Sequence, residues 1–563
     1  MNENLNTERN ISPIDELANG YLETQLQTTP ELVTYLGMPG ASEEEFSNYS
    51  PEGAAEIASL QRETLAKLES LTPVDDVDKV TVAALQQSLG LELEKYERGE
   101  IGDIANIATP LQGISEIFDL MGQETKDEWN LIIARMNNVE KAVKSWEETL
   151  YERAHNGPKL AAKQVELAIA EAEKISSEQS TFARLAADCA QAYPELAEQI
   201  SQAATSARAT YDALSKFLAT EIAPLTGESE AFGRERYALR SYEFIGAKID
   251  LDESYAWAES ELARIDAEQL AISHELYGSG VSVKEAMNRL NNEPSRMLHG
   301  SDALKAWMQE TSDAAVEALA GTHFEIPDEL RKLECMIAPS GSGAIYYTGP
   351  TDDFSRGGRM WWAVPHGTES FTTWQEKTTV YHEGVPGHHL QIGYTTYLKN
   401  VLNLWRRHGS WFSGHGEGWA LYAEGLMAEL GFMDDLGDRM GVLDSERLRT
   451  ARVMLDIGVH CELPAPAQYR EISPVWNREV AWQFLLDNVA MDESFLNFEL
   501  NRYLGWAGQA PSYKIGHRIW TELRTDAENR AREAGQDFDL KAWHTKALSI
   551  GSVGLDVLRN ALA

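Results

Sequence analysis

A chain of 563 residues with 89 acidic and 49 basic side chains carries a formal charge of −40, so phosphate-rich partners meet broad repulsion. Nucleic acid and anionic membrane surfaces are excluded as expected partners. An apolar fraction of 43% and a charged fraction of 25% are those of an ordinary soluble globular protein, long enough to bury a large core in one large domain or a few smaller ones.

The opening stretch, Met1 to Ile11, is polar and has no basic region followed by an apolar run, so it does not read as a secretory signal. No stretch approaches the eighteen or so consecutive apolar residues of a spanning helix. A cytoplasmic location is expected. Cys189, Cys335 and Cys461 stand far apart and form no Cys-x-x-Cys pair, which indicates neither a disulfide framework nor a thiolate metal site.

From Ser12 to Ala315 the pattern is one of successive helices. Trp129, Ile132, Met136, Val139, Val143, Trp146 and Leu150 alternate at three and four residues, predicting one helix buried on one side and stopped by Asn156-Gly157-Pro158. A second opens at Tyr193-Pro194 and runs through Leu196, Ile200, Ala203, Ala207, Tyr211, Leu214 and Leu218. Residues 1–320 are expected to wall one side of a cleft, and 321–563 to carry its chemistry, as two regions or one continuous domain.

Near Thr322 the composition changes. Ala344-Ile345-Tyr346-Tyr347 and Met360-Trp361-Trp362-Ala363-Val364, separated by the turn-forming Gly349-Pro350-Thr351-Asp352-Asp353, predict two short strands of a small antiparallel sheet. An exposed strand edge could hold an extended peptide, with Trp361 and Trp362 as substrate-binding candidates; the alternative is a structural hairpin.

The chemistry concentrates next, in Tyr381-His382-Glu383-Gly384-Val385-Pro386-Gly387-His388-His389-Leu390. Two imidazoles and a later carboxylate suit Zn²⁺, and a further carboxylate could activate water. In a regular His-Glu-x-x-His helix the two histidines lie four residues apart on one face. Here Pro386 holds the fourth position. On an unbroken helix His388 would point roughly 240° away from His382, and His389 would lie about 10 Å further along the axis. Pro386 cannot donate to the carbonyl of His382, and its ring clashes there, so a bulge or restart is predicted within Gly384 to Gly387. Looping out two residues brings Gly387-His388 to the place of Gly-His in the shorter motif. His382 and His388 are therefore the expected ligands, with His389 as the rival for the second place.

Gly416 to Ala428 favours helix and presents Glu417 and Glu424, seven residues apart, from one face. Glu417 is the better third ligand because Gly414, Gly416 and Gly418 permit close backbone approach. Glu424 falls one layer deeper, placed to orient a histidine. Further on, Arg449, Arg452, Asp456 and His460 share a helical face. That stripe is either a solvated or internally bridged face, or the lining of the cleft, with Arg452 receiving a substrate carboxylate and His460 donating to an oxyanion. Tyr513, in the Gly-bounded segment Gly505 to Gly516, is the first choice for an electrophilic donor, with Tyr503 behind it.

The segments from His382 to Gln391 and from Gly416 to Glu424 resemble the signatures of the bacterial family DUF885, which resembles in fold the mostly helical M32 carboxypeptidases of the gluzincin zinc peptidases. The likeness continues in the Arg-x-x-Arg and Asp-x-Gly-x-His pattern of Arg449 to His460. It also extends to Gly508-Gln509-Ala510-Pro511-Ser512-Tyr513-Lys514-Ile515-Gly516, where Ala507 replaces a usual proline. By position the resemblance implies His382, His388 and Glu417 as metal ligands and Glu383 as general base. The expected protein is a mainly α, multi-helix fold with a small antiparallel β-sheet beside a zinc-peptidase-like cleft. Its expected activity is that of a zinc metallopeptidase of carboxypeptidase type; a zinc hydrolase of a non-peptide amide or ester, or a non-catalytic metal-binding scaffold, are the alternatives.

Overall fold

A computed structural model describes residues 6–338, 345–365 and 367–563. The chain is mainly helical, as its periodicity dictates. The N-terminal helices used below are α1 (Pro51–Glu69), α2 (Asp76–Glu97), α3 (Lys126–Asn137), α4 (Val139–Asn156), α5 (Ala197–Phe217) and α6 (Arg234–Ile245). The long stripe from Trp129 to Leu150 is buried throughout, but it belongs to two helices. The chain breaks between α3 and α4 at Asn138, whose side-chain amide donates to the carbonyl of Glu44 at 2.9 Å. Hydrophobic periodicity survives such a break because both helices bury the same face. The second stripe is α5, preceded by a single 3₁₀ turn at Pro194–Leu196.

The two largest of the hydrophobic clusters among the described residues organise the molecule. One is built from residues between Phe46 and Ile222 and includes the faces of α3, α4 and α5. The larger draws on Ile14 to Leu89, on Tyr237 to Ala258 and on residues from Ala315 to Leu562. The first and last parts of the chain thus pack on one another.

Among the described residues five short strands form two small sheets: β1 (Met297–His299), β2 (Leu333–Ile337), β3 (Tyr346–Thr348), β4 (Gly358–Trp362) and β5 (Ser370–Thr372). β1 and β5 pair antiparallel, as do β3 and β4. β2 runs parallel to β4, which is therefore the middle strand of its three-stranded sheet. Ala344, with which the first predicted strand begins, lies outside the described residues, as do Met1 to Leu5.

The C-terminal helices that carry the site are α7 (Thr373–Glu383), α8 (His388–Tyr397), α9 (Ser413–Glu429), α10 (Leu436–His460), α11 (Glu493–Gly505) and α12 (Ser512–Glu533). Glycines let α9 and α12 cross backbone to backbone. A Cβ on Gly516 would stand 2.2 Å from the carbonyl oxygen of Gly414 and 2.9 Å from Cα of Gly418. Backbone cannot yield as a side chain can, so Gly516→Ala is expected to destabilise the fold by about 1–3 kcal/mol. Chemical denaturation checks this; an unchanged midpoint would contradict the close crossing.

Candidate metal and active site

The helix ends at Glu383 and restarts at His388, so Gly384 to Gly387 form the predicted break. Backbone hydrogen bonds span it: Gly384 N–H donates to the carbonyl of Val380, Gly387 N–H to that of Tyr381 at 3.1 Å, and His389 N–H to that of Gly384 at 3.2 Å. Gly387 passes so close to the end of α7 that a Cβ there would overlap the carbonyl oxygen of His382 at 1.9 Å. Indole Nε1 of Trp419, on α9, donates to the carbonyl of Pro386 at 2.9 Å and fixes the break against the second helix. From the other side Leu333 and Met360, of β2 and β4, pack beside Gly384.

This break turns two imidazoles toward one carboxylate. Nε2 of His382 lies 3.3 Å from Oε2 of Glu417, and Nε2 of His388 lies 3.5 Å from the same oxygen. The two rings stand at 90° with centroids 4.8 Å apart. Potential ligand atoms of His382, Glu383 and His388 also lie within 4.8 Å of one another. One carboxylate oxygen of Glu383, Oε2, is buried with no hydrogen-bond partner.

Behind the first imidazole, Nδ1 of His382 donates to Oε1 of Glu424 at 2.7 Å. Glu424 is held in turn by Thr378 and by the Ser445 hydroxyl, the latter at 2.9 Å. The carboxylate therefore fixes the tautomer that presents Nε2 to the cluster. His389 faces elsewhere: Nε2 donates to the carbonyl of Leu330 at 2.9 Å and Nδ1 accepts from the Tyr347 hydroxyl at 3.0 Å. Both its nitrogens are occupied, leaving none for a metal. Burial pushes this imidazole down to about 4.

The charges in the cluster are strongly coupled. Burial would lower His382, but Glu417 and Glu424 hold its imidazole up to about 10. Burial would raise Glu417, but His388 and His382 outweigh it and hold the carboxyl well below the usual range. Glu383 is pushed up by burial, against the pull of His388 and His382. Two imidazoles and a carboxylate are a zinc donor set, and a cation would take the place of the protons that these groups share. The residues present fit a metal, on the convergence of both Nε2 atoms upon Glu417 and on the unpartnered oxygen of Glu383.

A cavity of about 500 Å³ opens beside the cluster, within the size range of ligand sites. It is bordered by Glu417 and by Arg502, Trp506, Gln509 and Tyr513, and closed from the N-terminal side by Leu91 and Glu92 of α2 and Glu243 and Phe244 of α6. Tyr513 is half-buried there, with its phenol pushed up by burial and by Glu417, against the nearby Arg502 and Arg452.

Five residues assigned to this site from the sequence lie away from it or are committed to other partners. His460 is fully buried, donates from Nε2 to the carbonyl of Tyr503 at 3.0 Å and stacks on Tyr237. Ser445 marks the point where α10 meets Glu424, and His460 lies fifteen residues on, roughly 22 Å along the helix. Arg452 donates to the Tyr503 hydroxyl and to Glu499, both at 2.7 Å, and its guanidinium lies 5.0 Å from the ring centroid of Tyr513. It supports Tyr513 from behind, with Nε and Nη2 engaged by Tyr503 and Glu499 rather than left for a substrate carboxylate. Tyr503, the second choice for a donor, is consumed as well: its hydroxyl accepts from Arg452 and donates to Glu499. Trp362 is 3% exposed in a core cluster, and Trp361 stacks on Tyr346 and donates to Thr348 at 2.9 Å. β4 has neighbours on both sides, so neither tryptophan stands on a free strand edge.

Arg449 is the residue that sequence reasoning left without a role. It is half-buried, one turn from Ser445, with an unpartnered buried Nε, and its charge acts on both Glu383 and Glu424. The four-residue offset from Ser445 is the signal that places it on the site's face.

The family profile described as "Bacterial protein of unknown function (DUF885)" matches residues 30–562. The chain belongs to DUF885. No curated protein matches the sequence. Among solved structures, a "putative lipoprotein" from Colwellia psychrerythraea shares 21% identity at a TM-score of 0.81, with 98% of each chain covered. A "putative lipoprotein of unknown function" from Shewanella oneidensis shares 17% identity at a TM-score of 0.74, covering 98% of this chain and 99% of that one. At these identities the likeness concerns the fold. Among the described residues, no helix is long and apolar enough to cross a membrane.

Proposed function

We propose that this DUF885 protein is a zinc-dependent hydrolase, most consistent with a metallopeptidase of carboxypeptidase type. The observation that carries the reading is the convergence of His382 Nε2 and His388 Nε2 on one oxygen of Glu417, beside the unpartnered oxygen of Glu383. His382, His388 and Glu417 would hold the ion. Zinc bound there supplies Lewis-acid polarisation of a carbonyl and acidifies water.

The protein's own groups do the rest. Glu383 Oε2 takes a proton from water and returns it to the leaving amine. Glu424 keeps His382 in the tautomer and orientation that the site requires. Tyr513, on the wall that Glu417 shares, donates to the developing oxyanion, with Arg452 holding its ring. Arg449 takes the role that Arg452 cannot fill and receives the substrate's terminal carboxylate. The carboxypeptidase assignment comes from the resemblance to M32; action on a non-peptide amide or ester, and a non-catalytic metal site, are the competing readings. A purely structural zinc site would be expected to fill four positions, whereas three ligands and a free carboxylate suit catalysis.

Metal analysis of the purified protein, paired with digestion of a peptide library, tests the reading. About one zinc per chain and products shortened from the carboxyl end are expected. Zinc without peptide cleavage but with ester or amide hydrolysis would move the substrate class, and absence of both binding and turnover would refute the proposal. A cytoplasmic location is part of the same reading; the description of the two solved relatives suggests the membrane surface instead, and cell fractionation separates these.

A further inference from the structure

We infer that a second cavity, behind the Phe244–Trp506 pair, is a subsite for the amino-terminal stretch of an extended peptide substrate; this rests on the hydrolase reading above. The cavity measures about 350 Å³ and shares Glu243, Phe244 and Trp506 with the chamber that contains Glu417 and Tyr513. The Phe244 and Trp506 rings meet edge to face at 5.4 Å, forming an aromatic partition between two adjoining spaces. On the carboxypeptidase reading the longer, amino-terminal part of a substrate needs room beyond the cluster, and the chamber beside Glu417 and then this cavity adjoin one another there.

The lining says what the occupant carries. Its cations are already balanced: Lys95 pairs with Glu243 at 2.6 Å and Glu92 at 3.2 Å, and Arg240 pairs with Asp103, Glu100 and Glu243. An anion such as phosphate would find no unmet positive charge. Two donors, however, have no acceptor. Trp146 lines the cavity, is 2% exposed and has a buried indole Nε1 without a partner; Arg240 Nε is also buried and unpartnered. Leaving such a donor unmade costs about 1–3 kcal/mol, which a neutral carbonyl oxygen would recover.

The wall between residues 101 and 110 adds an independent sign. Ala108 there has φ of 59°, in the left-handed region that a residue with a Cβ adopts at a cost. Backbone held in that way clusters at binding sites. A chain with regularly spaced neutral carbonyls is an extended peptide.

Two peptides sharing one carboxy-terminal dipeptide, three and seven residues long, test this on the zinc-loaded protein. Ala54, on α1, is half-exposed and lines the cavity, so Ala54→Trp fills it from a tolerant position. The ratio of kcat/KM for the long peptide to that for the short one should fall about tenfold in Ala54→Trp, and about threefold to tenfold in Trp146→Phe, which loses only the N–H. Zinc content should stay unchanged in both. An unchanged ratio in Trp146→Phe together with an unchanged ratio, or failure to fold, in Ala54→Trp would overturn the subsite. Should the wild type cleave neither peptide, the hydrolase reading fails, and calorimetric binding of the seven-residue peptide then decides. Weaker binding to Trp146→Phe upholds the subsite, and equal binding overturns it.

Discussion

Glu383→Gln should retain zinc at the wild-type level and lose activity by at least about a hundredfold, within the range that a positioned general base supplies. The amide matches the carboxylate in size, so the packing around a side chain that is 7% exposed is preserved. What it lacks is the ability to accept a proton. The unpartnered Oε2 marks where that proton would go, and burial pushes the same carboxyl up against the pull of His388 and His382. Steady-state kinetics on a cleaved peptide, with metal analysis of the same sample, checks the outcome. Wild-type turnover in the variant would remove Glu383 as the base. Loss of zinc along with activity would make it a ligand instead, a role its position within 4.8 Å of both histidines also permits.

The local chemistry of one residue made much of this site legible. Pro386 cannot continue a helix, so a break had to fall between Gly384 and Gly387, and the spacing of His382 and His388 made sense only with that break. The seven-residue offset placed Glu424 on the face of Glu417, and the structure gives it the bond to His382 Nδ1 that orients the ring. The same periodic reasoning misled along α10. Arg452 and His460 do share a helical face, but a shared face says nothing about where along a 25-residue helix the site lies. Contacts such as that of Ser445 with Glu424 locate it, and they join residues of different helices. Trp361 and Trp362 failed for a related reason. Strand propensity predicts a strand at Met360 to Val364, which forms two residues earlier as Gly358–Trp362, but its parallel partner Leu333–Ile337 is more than twenty residues away, so its central position is a property of the pairing. Arg449 was visible as a member of the stripe and anonymous until its neighbours were known.

The choice between the adjacent histidines gives the clearest separation of outcomes. His388→Ala and His382→Ala should each reduce zinc affinity by more than the roughly 10- to 100-fold that loss of an orienting partner costs, and activity should fall with occupancy. Glu417→Ala should behave in the same way, since it removes the oxygen that both Nε2 atoms face. His389→Ala should instead keep its zinc. Its two ring nitrogens are engaged by Leu330 and Tyr347, so truncation leaves a buried carbonyl and a hydroxyl unsatisfied and is expected to cost about 1–3 kcal/mol of stability. Zinc titration followed by denaturation of each variant reads both quantities. If His389→Ala lost the metal while His388→Ala retained it, the second ligand would be the other imidazole and the mapping of this broken helix onto the shorter motif would fall. If zinc stayed near one per chain in His382→Ala and Glu417→Ala alike, the metal would have to be held somewhere else in the molecule.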